Sequence, residues 1–189
     1  SPSNSTLVVA GNFKVDKIKS LLETYFGELI GNNQIPSVKS TQAELDETKS
    51  ISFDDRVNLE RIYIAWHSQN AFNEDDAELD ILSDILTGSK NARLTRKLIY
   101  ELQIAQDVNS MQFSGKYGGH FMIVATAKPG KSLDEIKKII FEEISEIIDK
   151  NIFQQELVRS KNVITSNFIY SLQNIDTVAD LLNLYNFYL

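Results

Sequence analysis

His67 and His120 are the two histidines of this chain, and they stand 53 positions apart. Zinc hydrolases commonly hold an ion between two imidazoles spaced one helical turn apart. Here His67 is followed by Ser-Gln-Asn and His120 by Phe-Met-Ile, so neither His-Glu-x-x-His nor the inverted His-x-x-Glu-His occurs. Each reads as a strand-end or surface residue, and no metal site is expected. Gly130-Lys131-Ser132 has the look of the end of a phosphate-binding loop. Such a loop needs a further glycine five positions earlier so that the backbone can wrap the phosphates. That position is Ala125. A turn followed by a helix cap accounts for the triplet. No Gly-x-Ser-x-Gly turn presents a serine nucleophile. The absence of cysteine excludes thiolate zinc sites, iron–sulfur clusters and a cysteine nucleophile. Carboxylates are plentiful at Asp54/Asp55, Glu74–Asp76, Glu142/Glu143 and Glu146. They fall on polar faces and first turns of expected helices, where they solvate and complement the helix dipole. The residues alone give no catalytic constellation.

The elements that would position these residues can be read from periodicity. Thr6–Ala10 is a short apolar run that reads as a fully buried strand. Lys49–Phe53, Arg61–His67, Ala105–Phe113 and Gly119–Ala127 read as four more strands. The last is apolar on both faces and is expected at the centre of the sheet. Helical spacing appears over Val15–Phe26, with Gly27 as a C-cap, and over a segment that Asn73 caps and Gly88 stops. A shorter basic helix is expected at about 92–101. Ser132 and Glu135 form a capping-box pair opening a helix to about Asp149. Two further helices are expected from about Gln154 to Leu172 and from about Asp176 onward. Gly31–Thr48 is polar, contains Pro36, and reads as a long loop. Adjacent strands and runs of helices point to an α+β fold with a largely antiparallel sheet.

Composition narrows the function classes. The chain has 189 residues, 42% of them hydrophobic and 24% charged, within the range of one globular domain. The net charge of −7 argues against a basic nucleic-acid-binding face. No apolar run is long enough for a membrane span. The first expected strand begins at Thr6 and the chain stops on an apolar face at Leu189, so it reads as a piece excised from a longer protein.

Several segments in order resemble one family. Pro2-Ser3-Asn4-Ser5-Thr6-Leu7-Val8-Val9-Ala10-Gly11-Asn12-Phe13, and then Tyr25-Phe26-Gly27, resemble the opening of the second domain of pitrilysin/insulinase-type zinc peptidases. So do Arg61–Trp66, the helix pair from Asp80-Ile81-Leu82 to Arg96-Lys97-Leu98, and Gly118-Gly119-His120-Phe121. Ala125–Gly130 and Glu156–Asn162 continue the match over nearly the whole chain. The resemblance implies a processing-peptidase-like α+β fold with helices packed on one face of the sheet. It also implies a clamshell of two halves around a peptide chamber, with zinc held in the first domain of one half.

The family's transition-state pair, an Arg and a Tyr seven positions later, would fall by spacing at Ile99 and Gln106, so both are absent. No catalytic, metal or substrate-binding residue is therefore assigned to this chain. The expectation is a non-catalytic domain, residues 1–189, that packs against a zinc-bearing domain and lines a peptide chamber. Zinc, a second half-molecule and a peptide substrate would belong to the full-length protein, whose compartment stays open between periplasm, membrane surface and cytoplasm. The competing readings are a scaffold subunit without peptidase activity, like the core subunits of respiratory complexes, and an unrelated small-molecule-binding domain.

Overall fold

The structure is a computed structural model that describes residues 2–31, 38 and 45–188. The expected loop at 31–48 falls mostly outside the described residues, as does Leu189. The chain divides into two compact units, residues 40–164 and residues 1–39 with 165–189.

The larger unit is built on a three-stranded antiparallel sheet of β1 (Arg61–Ser68), β2 (Ala105–Ser114) and β3 (Gly119–Ala127), in the order β1-β3-β2. The strand with apolar residues on both faces, β3, takes the centre, where both neighbours shield it. Helix α2 (Asp76–Thr87) and helix α3 (Leu133–Lys150) complete the core with a π-helix over Thr95–Glu101. From α2 come Ile85 and Leu86, and from α3 come Ile136, Ile139 and Ile140. They meet Val108, Phe121, Ile123 and Ala125 of the sheet. Each of the Ile, Leu, Val and Phe side chains contributes about 1.5–3 kcal/mol on burial. Ile62, Ile64 and Trp66 of β1 pack on the same cluster, so the helices lie on one face of the sheet. The fold is α+β.

Four local expectations are corrected. The segments Thr6–Ala10 and Lys49–Phe53 form no strand, and Leu7 is 60% and Phe53 85% exposed. Alternation tells how side chains would sort once a ladder forms, and no neighbour among the described residues supplies one. The helix expected to be capped by Asn73 starts at Asp76, with Asp75 at its N-cap in a left-handed conformation (φ 69°). The Asp76 carboxylate instead accepts from the Phe72 amide (2.9 Å) and from Ser114 of β2. The basic helix is a π-helix, closed by the Leu102 amide donating to the Lys97 carbonyl at 2.9 Å. Gly27 is the C-cap of α1 (Val15–Phe26) as expected, in a right-handed conformation (φ −62°), so the turn does not need its freedom to take positive φ. A Cβ there would stand 2.5 Å from the Glu23 carbonyl oxygen, so the requirement is close approach.

The smaller unit holds α1 (Val15–Phe26), α5 (Ile175–Tyr188) and the 3₁₀ turn Pro2–Asn4. Asn186 of α5 donates from Nδ2 to Thr6 Oγ1 at 2.8 Å. Neither α1 nor α5 buries a single residue, although both carry apolar stripes. Helix α4 (Gln154–Ser171) begins in the larger unit, where Ser160 is fully buried against α2.

Candidate functional site

The site is set by the strand register. Successive side chains of a strand point to opposite faces. With Ile62, Ile64 and Trp66 turned to the helices, Arg61, Tyr63, Ala65 and His67 lie on the other face. The pairing then aligns four rows across the three strands: Arg61, Thr126 and Asp107; Tyr63, Val124 and Asn109; Ala65, Met122 and Met111; His67, His120 and Phe113. Tyr63, Ala65, His67, Asn109, Phe113 and His120 are exposed. One end of this face is polar. Arg61 Nε donates to Thr126 Oγ1 (2.9 Å), which donates to Asp107 Oδ1 (3.1 Å). A hydrogen bond with Tyr63 holds the Arg61 guanidinium above its ordinary range. At the other end the Phe113 and His120 rings stack with centroids 4.7 Å apart. The middle is apolar, with Met111, Met122 and Val124.

The helix side carries a different set of polar groups, and these brace the fold. Arg93 donates to both oxygens of Glu156, at 2.9 and 2.7 Å, with both side chains largely buried. Phe153 lies 5.5 Å from the guanidinium carbon. The bond to Arg93 holds the Glu156 carboxyl below its usual range despite partial burial. Lys97 of the π-helix pairs with the buried Glu143 of α3, which raises the Lys97 pKa. Ser83 and Thr87 of α2 latch onto Ser110 of β2: Ser83 Oγ donates to the Ser110 carbonyl (2.6 Å), and Thr87 Oγ1 accepts from its amide (2.8 Å). Ser160 donates to Asp84.

These placements decide what the arrangement can do. Buried Ser110 and Ser160 belong to the helix side, and both histidines to the opposite face, so no serine–histidine pair forms among them. Among the described residues no three metal-ligating side chains gather where they could hold an ion. The catalytic zinc of a peptidase does not fit here. Ile99 packs partly buried against the core and Gln106 is exposed at the β-bulge that shifts the register between Ala105 and Asp107. The face offers apolar surface between a hydrogen-bonded polar end and a stacked Phe113–His120 end. Sequence reasoning missed the Ser83–Thr87–Ser110 latch and the adjacency of the histidines. The first leaves no motif, and the second depends on register.

A family profile described as "Peptidase M16 inactive domain" matches residues 1–164. The zinc protease PqqE of Helicobacter pylori (strain ATCC 700392 / 26695) is 23% identical over 183 residues, 95% of this chain and 41% of that protein. The crystal structure of a protease from Helicobacter pylori has the same fold, with a TM-score of 0.84 at 22% identity over 94% of this chain and 44% of that one. A chain of Complex III2 from Candida albicans also shares it, with a TM-score of 0.71 at 17% identity over 92% of this chain and 42% of that one. The chain spans less than half the length of these relatives. The profile covers well over half of the sequence, and the chain belongs to the Peptidase M16 inactive-domain family.

Proposed function

We propose that this chain is the non-catalytic domain of a longer zinc-dependent peptidase, where it packs against the zinc-bearing domain and lines the peptide chamber. The observation that carries this reading is the smaller unit. Neither of its two amphipathic helices has a fully buried residue, and Leu7, Leu29, Leu182 and Leu184 stay exposed. Exposed apolar surface on this scale supports an interaction site. The uncovered face of the sheet is the candidate chamber wall. Positioning a peptide there would contribute to rate without supplying chemistry. Zinc and the second half-molecule would come from the rest of the assembly.

The test joins this chain to the zinc-bearing domain of its own polypeptide as a separate protein. Association is expected, with peptidase activity appearing in the mixture. Leu7→Asp with Val9→Asp should abolish association while changing the chain's own stability by no more than about 0.5 kcal/mol, the scale of surface substitutions. Failure to associate would remove the reading. A second reading is a scaffold subunit without activity, favoured by the fold shared with the Complex III2 chain. It would be preferred if the complex forms and cleaves nothing.

A further inference from the structure

The chain has two histidines in all, and the fold sets them side by side. The antiparallel register of β1 and β3 pairs His67 with His120. Residues directly opposite in such a ladder have Cβ atoms about 4.5–5.5 Å apart. Being opposite, the two project from the same face, and both are exposed. Among the described residues neither imidazole is engaged in a hydrogen bond or ion pair. Phe113 stands on the far side of His120, and its ring stacks on the imidazole at an interplanar angle of 21°. That contact orients the ring through its face and leaves the nitrogen-bearing edge free.

We propose that His67 and His120 form a two-histidine site for a borderline divalent transition ion such as Zn²⁺. Imidazole nitrogen selects zinc, nickel and copper over magnesium and calcium, which take oxygen ligands. Two neutral imidazoles fill two positions of a zinc tetrahedron. Water, or a carboxylate of a bound chain, fills the others. Catalytic zinc is held by three protein ligands, and no third one gathers here among the described residues. The site therefore binds and bridges. It performs no hydrolysis, and it is distinct from the zinc of the proposed catalytic domain. The pairing escapes the sequence because the usual signal is two ligands one helical turn apart, whereas these two meet only through strand register.

The test is a zinc chloride titration of the untagged chain, followed by the ring resonances of both histidines. One saturable event is expected, with both rings shifting together and magnesium chloride moving neither. In His67→Asn or His120→Asn the affinity should fall roughly tenfold or more, because the second ligand no longer acts at high effective concentration. Rings that shift independently or without saturation would overturn the proposal. So would single variants that bind as tightly as the parent. The correlated shift of the two rings in the parent decides the matter even if a variant folds poorly.

Discussion

Arg93 and Glu156 form a bidentate, largely buried pair in the larger unit, and their behaviour follows from burial. A bidentate pair out of water is sustained only while both partners are present. Arg93→Ala leaves the Glu156 carboxylate largely buried without its cation, which costs about 3–5 kcal/mol for pairs of this kind. Urea denaturation should read that loss. The pH dependence has a definite sign. The Glu156 pKa is lowered in the folded state from an ordinary value of 4.5. Its contribution is therefore complete above about pH 4.5 and is lost as the pH falls through the depressed folded value. Arg93→Met should flatten that acid limb of the stability profile. None of this was legible beforehand, because the partners are 63 positions apart and each alone looks like a charged surface residue.

The elements were legible where periodicity and burial agree. Helix α3 shows its stripe plainly, and Ile136 and Ile140 are fully buried as the spacing requires. The three strands of the sheet fall within a residue of their expected bounds. Periodicity failed where a partner decides the outcome. Thr6–Ala10 is an apolar run like that of a buried strand and stays unpaired, since a ladder needs a neighbour. The π-helix at Thr95–Glu101 keeps an ordinary helical composition, so its wider hydrogen bonding leaves no mark in residue types. The latch between α2 and β2 yields a test at this scale. Thr87→Val removes the acceptor of the Ser110 amide, a buried donor, at a cost of about 1–3 kcal/mol. Thr87→Ser retains the hydroxyl and should recover most of that loss in the same thermal melt.

For the whole molecule, the contrast lies between a unit with a closed core and a unit with none. The larger unit packs α2, α3 and the π-helix on one sheet face and leaves Tyr63, His67, Asn109, Phe113 and His120 of the opposite face exposed. The smaller unit leaves its helices uncovered. Both features suit a domain that works inside a larger assembly. If the proposed chamber-wall role of this sheet face holds, polar substitutions on it weaken peptide binding in the full-length protein. Tyr63→Asp with Phe113→Asp should raise KM several-fold, by about 5- to 10-fold, with kcat little changed, the pattern of lost uniform binding. Steady-state kinetics on peptides of one length would show it.

The most direct measurement is peptide hydrolysis by this chain alone, in zinc-containing buffer, against a mixed library of quenched fluorescent peptides. We expect no turnover above buffer, since no three metal-ligating side chains come together among the described residues. Cleavage that a chelator abolishes, and that disappears in His67→Asn or His120→Asn, would contradict the assignment as a non-catalytic domain.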